Sequence, residues 1–185
     1  AVSGESSLTV RGVGVNPLRT GAVEVLRRMG ADIRYGGEGV SSGEPVADIV
    51  VRGADLYGTR VAPEEIPRLV DEVPALCVAA AFASGRTEIR GAEELRVKES
   101  DRIGAMVSAL SSLGVACGEY PDGLWVEGPT RFRPTGPCDS LGDHRVAMAL
   151  LVLGKAAGVD VRVSDTACID TSFPGFREIL EGLPE

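Results

Sequence analysis

The stretch DEVPALCVAAAFASG at residues 71–85 decides the fold, because an acidic start and a proline lead into an apolar run that ends in glycine. Its apolar residues cover nearly the whole circumference of a helix, which is typical of a helix buried in a protein core. A second stretch of this kind, DHRVAMALLVLGKAAG at residues 143–158, also ends in glycine, a common residue at helix ends. The two stretches predict two buried central helices.

Strand-like and amphipathic helical segments recur around these two stretches. The strand-like segments are short, rich in β-branched residues and bounded by glycine or acidic residues: LTVRG at 8–12, DIVVRG at 48–53, TEIRG at 87–91, GLWVEG at 123–128 and VRVSD at 161–165. The outer helical segments are 20–30, 101–113 and FREILEGL at 176–183. Matching points lie about 73 to 84 residues apart, a spacing that indicates α/β units around a common core rather than a solenoid of shorter repeats.

The pattern predicts one α/β domain over residues 1–185, but the repeat does not close. Two central helices serve three units of strand plus outer helix, so we expect the chain to begin partway through a larger protein. The stretches 37–46 and 128–142 are rich in glycine, proline and serine and are expected to be turn-rich connections.

The composition of the chain argues against several classes of function. The chain of 185 residues has a net charge of −8 and only 4% aromatic residues, which argues against nucleic-acid binding. Its four cysteines lack CxxC spacing, so neither a zinc site nor a disulfide framework is expected. The sequence contains no apolar run of 18 residues and no signal-peptide pattern, so we expect a cytoplasmic protein without a membrane segment.

Charged residues gather at the starts of three predicted helices. The expected N-caps are Asp71, Ser100 and Asp143, because short polar side chains accept hydrogen bonds from the first helical N–H groups. Arg102 and Arg145 then fall in first turns, where a cation costs about 0.3–1 kcal/mol unless an anion binds. Repeating units around one axis present equivalent ends on one face, so we expect these three starts to lie close together.

Each of these residues alone also has a purely structural interpretation. An aspartate before an apolar helix is most often only a cap, and the one histidine, His144, is more often an exposed polar residue than a catalyst. Lys98 and Arg102 could form a solvated turn that is neutralised by neighbouring carboxylates. Taken together, however, free helix N–H groups and cations indicate a site for a small, multiply negative ligand. Only two residues of the chain are lysines, which singles out Lys98 as a compact ammonium.

The motifs LRVKESDRI at 95–103 and GDHRVAM at 142–148 strongly resemble the EPSP synthase family, and three further stretches match it in the same order. These are NPLRTG at 16–21, IPRLVDEVPALCVAAAFA at 66–83 and TSFPGF at 171–176. The resemblance implies a two-domain enzyme in which each domain contains three βαβαββ units with central helices. This chain then looks like most of the C-terminal domain, and the missing N-terminal domain of the same enzyme would be its partner.

The resemblance also implies a reaction and roles for the residues. EPSP synthases transfer the carboxyvinyl group of phosphoenolpyruvate to the 5-hydroxyl of shikimate 3-phosphate, without a metal or an organic cofactor. The catalytic groups would be Asp71, as base, and Glu99, as proton donor. The substrate-binding residues would be Lys98 for shikimate 3-phosphate, Arg102 and Arg145 for phosphoenolpyruvate, and Asp143 and His144 beside them.

Two positions depart from the pattern of some family members, and rival functions remain open. Thr171 and Glu94 stand where those members have a lysine and an asparagine, which indicates another branch of the family. The rivals are a related enolpyruvyl transferase acting on UDP-N-acetylglucosamine, a half-enzyme that is silent alone, and a binding module without chemistry. The unclosed repeat further predicts an exposed apolar patch that favours self-association.

Overall fold

Helices and groups of one to three strands follow one another in the computed structural model, which describes residues 1–2 and 6–183. The α-helices in this part of the chain are α1 Gly21–Arg28, α2 Val73–Phe82, α3 Arg102–Ser112, α4 His144–Ala157 and α5 Phe176–Gly182. The strands are β1 Ser7–Gly14, β2 Asp32–Ser41, β3 Glu44–Arg52, β4 Arg60–Val61, β5 Gly85–Ile89, β6 Ala116–Tyr120, β7 Gly123–Gly128, β8 Cys138–Asp139 and β9 Val163–Ser164. The order confirms the predicted α/β class.

The strands of the described residues form three separate sheets. The first has the order β1-β3-β2 with antiparallel pairing, and the second has the order β4-β5-β7-β6. In the second sheet, β5 pairs parallel with β4 and antiparallel with β7. The third sheet is the parallel pair β8-β9. One sheet therefore accompanies each of the three predicted units, and the third unit has the smallest sheet.

The core lies where α2, α3 and α4 pack together. Helix α2 is buried along almost its whole length, as the apolar sequence predicts. Its small residues Ala79, Ala80 and Ala81 leave little side-chain volume between the helices, so α4 can approach it closely. Helix α4 is buried on one face only, because Val152 remains 38% exposed on the opposite side. The expectation of a fully buried second central helix was therefore wrong for part of α4.

Two further expectations need correction. The stretch 37–46 is not a turn-rich connection but the tip of a hairpin, in which β2 and β3 pair up to Ser41 and Glu44. Glycine is uncommon in strands, so the glycines of this stretch weaken its strand pattern in the sequence. The turn itself is confined to Ser42 and Gly43, both with positive φ. The glycine that ends the first central segment, Gly85, belongs to β5, whereas Gly158 caps α4 in the left-handed conformation with a φ of 62°.

Candidate functional site

The predicted convergence of three helix starts is confirmed, and the Arg102 guanidinium lies at its centre. Arg102 is only 1% exposed and donates hydrogen bonds to carboxylates from three segments of the chain. Its Nε atom lies 2.7 Å from Oδ2 of Asp143, and its Nη1 atom lies 3.0 Å from Oδ1 of Asp71. Its Nη2 atom donates to Oε2 of Glu99, which lies three positions earlier in the chain. Each of the three guanidinium nitrogens therefore has its own carboxylate partner.

Arg145, in the first turn of α4, approaches Asp71 from a second direction. Its Nη1 atom donates to the backbone carbonyl of Asp71 at 3.1 Å, and its Nη2 atom lies 3.4 Å from Oδ2 of the same residue. The carboxylate of Asp71 therefore lies between two guanidinium groups. The side chain of Asp71 remains partly open to solvent, so a ligand can reach this point.

Asp143 is fully buried and joins two of the three helix starts. Its Oδ1 atom accepts hydrogen bonds from the backbone N–H groups of Arg145 at 2.9 Å and Val146 at 3.3 Å, which confirms the predicted N-cap of α4. Its Oδ2 atom accepts from Arg102 and from the hydroxyl of Ser100 at 3.2 Å. Burial alone would raise the pKa of Asp143, but Arg102 and the two N–H groups outweigh it and hold that pKa below the ordinary value.

The other two predicted N-caps were wrong. Asp71 lies in a 3₁₀ turn, Val70–Glu72, and its side chain turns toward the two guanidiniums, which offer stronger charge-assisted hydrogen bonds than a helix N–H. The cap of α3 is Asp101, whose Oδ1 atom accepts from the N–H of Gly104 at 3.0 Å. Ser100 donates its hydroxyl hydrogen to Asp143 instead.

These caps also correct the reason given for an anion site. Three of the first-turn N–H groups, those of Gly104, Arg145 and Val146, already donate to aspartates and are not free. The cations of α3 and α4 are balanced by carboxylates from other segments. An anionic ligand would therefore meet side-chain guanidiniums rather than open helix ends.

Lys98 and His144 lie at the edge of this cluster. The ammonium of Lys98 pairs with Glu94, and this contact raises the pKa of Lys98. The charge of Asp71 also raises the pKa of Lys98, whereas the charge of Arg102 lowers it. His144 is the first residue of α4 and is half-buried, but its ring makes no hydrogen bond or ion pair with the described residues.

Sequence reasoning missed Glu72. Burial raises the pKa of Glu72, and Arg145, whose Nη1 atom lies 4.0 Å from Oε1, only partly offsets this effect. Glu72 lines an open cleft of about 410 Å³ together with Asp71, Arg145 and the exposed Arg19. The sequence signal for Glu72 is its place beside Asp71 in an acidic pair.

The cluster thus combines cations for anion binding with carboxylates for proton transfer. Within residues 1–2 and 6–183 there is no group of three or more His, Cys, Asp or Glu side chains that could hold a metal ion. The described helices include none that is both long and apolar enough to cross a membrane. Cys77 and Cys138 are buried free thiols, and Cys117 and Cys168 are half-buried free thiols.

The chain is similar in sequence to two curated proteins that carry the same name. The chain is 51% identical over 176 residues to 3-phosphoshikimate 1-carboxyvinyltransferase of Geobacter metallireducens, a match that covers 95% of this chain and 41% of that protein. It is 52% identical over 182 residues to the protein of the same name from Desulforudis audaxviator, covering 98% and 42%. The chain therefore spans about two fifths of the length of these relatives.

Solved structures show the same fold. An EPSP synthase from Acinetobacter baumannii superimposes with a TM-score of 0.87 at 37% identity, over 96% of this chain and 41% of that one. The enolpyruvyl transferase NikO from Streptomyces tendae shares the fold with a TM-score of 0.68 at 24% identity, over 98% and 40%. The sequence profile described as EPSP synthase (3-phosphoshikimate 1-carboxyvinyltransferase) matches residues 1–180. On these grounds, the chain belongs to the EPSP synthase family.

Proposed function

We propose that this chain forms one wall of the active site of an enzyme that transfers the carboxyvinyl group of phosphoenolpyruvate to the 5-hydroxyl of shikimate 3-phosphate. The observation that carries the proposal is the convergence of Arg102 and Arg145 on Asp71. Two guanidiniums at different angles suit a donor with both a phosphate and a carboxylate, because each anionic group can accept a bidentate pair of hydrogen bonds.

The carboxylates beside the guanidiniums suit the two proton transfers of this reaction. Asp71 takes the proton of the acceptor hydroxyl as the oxygen bonds to C2 of phosphoenolpyruvate, and Glu99 delivers a proton to C3. The tetrahedral adduct then loses phosphate from C2 and a proton from C3, which restores the carbon–carbon double bond. Both carboxylates contact Arg102, so they lie on one side of the same donor.

The other predicted site residues fit around this centre. Lys98 binds the phosphate of the acceptor after leaving Glu94, and His144 lies next to Arg145 at the mouth of the site. Asp143 is fully buried, so its role is to hold Arg102 and the start of α4 rather than to touch substrate. This assignment replaces the substrate-binding role that the resemblance implied for Asp143.

The charge of the cluster indicates that this wall is incomplete by itself. The ion pairs of the cluster join three cations, Arg102, Arg145 and Lys98, to five carboxylates, those of Asp71, Glu72, Glu94, Glu99 and Asp143. An excess of negative charge opposes the binding of two anionic substrates. We therefore infer that residues 1–185 form most of one domain and that a second domain of the same enzyme supplies further cations.

A chimera tests the proposal. In the Geobacter metallireducens relative, the matching segment is replaced by this chain, and release of phosphate from phosphoenolpyruvate is measured with shikimate 3-phosphate. We expect turnover by the chimera, none by the chain alone, and loss of more than 100-fold in kcat for the chimera with Asp71→Asn. Asp139→Asn, an exposed change at the end of β8, serves as the matched control.

Two results would contradict the proposal. A folded chimera that releases no phosphate would exclude the transferase function. Turnover by the chain alone would exclude the inference that a second domain is needed to complete the site. Supplying UDP-N-acetylglucosamine in the same assay separates the rival acceptor. Turnover with that acceptor and not with shikimate 3-phosphate would assign the chain to the rival reaction.

A further inference from the structure

Arg96 makes a dense set of contacts that the proposed reaction does not use directly. Its Nη1 atom donates to Oδ2 of Asp101 and to Oε2 of Glu119, both at 2.9 Å. Its Nη2 atom donates to the carbonyl of Tyr120 at 2.7 Å, and its Nε atom donates to the carbonyl of Pro121 at 3.1 Å. One guanidinium thus joins the turn between β6 and β7 to the N-cap of α3.

These contacts close a short loop that carries two site residues. Arg96 lies in the last turn of a 3₁₀-helix, Glu93–Val97, and Asp101 is the residue that caps α3. The ion pair between them joins the two ends of the segment 97–100. Lys98 and Glu99 lie within this loop, whereas Val97 is 81% exposed and contributes little packing that could hold it.

The turn between β6 and β7 is itself held firmly. The carbonyl of Asp122 accepts from the N–H of Ala92 at 2.7 Å, and its carboxylate accepts from the N–H of Gly91 at 3.1 Å and from Nε of Arg90 at 2.9 Å. Arg90 also stacks on the ring of Tyr120. Arg96 therefore fastens the loop to a part of the sheet that has several independent supports.

We propose that Arg96 is a positioning residue, which sets the places of Lys98 and Glu99 by closing the loop 97–100 against the turn between β6 and β7. The effect of Arg96 on catalysis rests on the proposed function, whereas its effect on the shape of the loop does not. The arginine fork is needed because two carbonyls and two carboxylates lie around one planar group. A lysine has a single ammonium and cannot meet all four acceptors in this arrangement.

The experiment compares Arg96→Lys with Arg90→Lys. Both changes keep the charge and affect the same turn, but Arg90 makes no hydrogen bond or ion pair with residues 97–102, which lie within the described part of the chain. In the isotopically labelled chain, we expect Arg96→Lys to shift the backbone amide resonances of Lys98 and Glu99 and Arg90→Lys to leave them in place. In the chimera, we expect Arg96→Lys to lower kcat about 10- to 100-fold, because small misplacements of reacting groups are costly.

The readouts separate positioning from general stability and from the proposed function. Equal thermal midpoints of the two variants, with kcat lowered only for Arg96→Lys, would support positioning. Unmoved amides of Lys98 and Glu99, or a kcat within twofold of that of Arg90→Lys, would overturn it. If the parent chimera is inactive, the amide shifts still decide the loop geometry.

A second variant covers the case in which Arg96→Lys does not fold. Asp101→Asn keeps a good helix cap but loses the ion pair that closes the loop. We expect it to shift the same two amides. Amides that stay in place in a folded Asp101→Asn variant would show that the loop holds its shape without this contact and would overturn the proposal.

Discussion

Arg102 shows at the scale of one residue why a cation can lie at a helix start. The macrodipole disfavours a positive charge there, but Asp143, Asp71 and Glu99 each accept a hydrogen bond from its guanidinium. A buried charge must be paired, so the arginine and its buried partner Asp143 depend on each other. The sequence revealed the cation and its helix position, but it did not reveal which carboxylates would surround it.

Asp143→Asn tests this dependence through stability. The amide oxygen of asparagine can still accept from the α4 N–H groups, and its amide nitrogen can donate to the hydroxyl oxygen of Ser100, but the negative charge that faces Arg102 is lost. We expect the free energy of unfolding to fall by about 3 kcal/mol, as for other buried pairs that lose one partner. Urea unfolding followed by circular dichroism measures this change. Asp139→Asn is the control, and a loss for Asp143→Asn no larger than that of the control would contradict the prediction.

The lowered pKa of Asp143 predicts a pH dependence of the same stability. Because the folded pKa lies below the ordinary value of 3.8, the contribution of Asp143 is fully present above that pH. It is lost as the pH falls through the folded pKa, since the folded state must then take up a proton. Urea unfolding at a series of pH values below 5 should show a steeper decline for the parent chain than for Asp143→Asn. Parallel declines would show that Asp143 is not the group involved.

At the scale of the element, α3 begins one residue later than the sequence suggested. Serine and aspartate are both good caps, so propensity could not choose between Ser100 and Asp101. The choice depends on tertiary partners, because Ser100 donates to Asp143 while Asp101 is held by Arg96. The hairpin at β2 and β3 was missed for a similar reason, since pairing between strands overrides the turn propensity of its glycines.

The cap assignment predicts unequal costs for two alanine substitutions. Asp101→Ala removes the hydrogen bond to Gly104 and the ion pair with Arg96, so we expect a loss of about 1–2 kcal/mol in the free energy of unfolding. Ser100→Ala removes a single hydroxyl contact and should cost less than half as much. Both values come from urea unfolding of the chain. A larger loss for Ser100→Ala would restore Ser100 as the cap.

At the scale of the whole molecule, the repeat and the convergence of helix starts were predictable from the sequence. Apolar helices, strand-like segments and their spacing recur along the chain, and equivalent segments occupy equivalent places around α2 and α4. The partners inside the cluster were not predictable, because Asp71, Glu72 and Arg96 meet residues that are distant in sequence or lie across a hairpin turn. Such contacts depend on the distances between the helices, which no local pattern encodes.

The predicted apolar patch corresponds to a groove beside the outer face of α4. The groove encloses about 850 Å³ between that face and α5, and its apolar lining includes Val2, Val152 and Leu180. Exposed apolar grooves bind hydrophobic dyes and favour self-association, so we expect the chain to enhance the fluorescence of anilinonaphthalene sulfonate and to associate as its concentration rises. Val152→Glu should reduce both effects, whereas Val40→Glu, at the 75% exposed tip of the hairpin, should leave them unchanged. Dye fluorescence and light scattering measure the two effects, and equal responses of both variants would place the association elsewhere on the molecule.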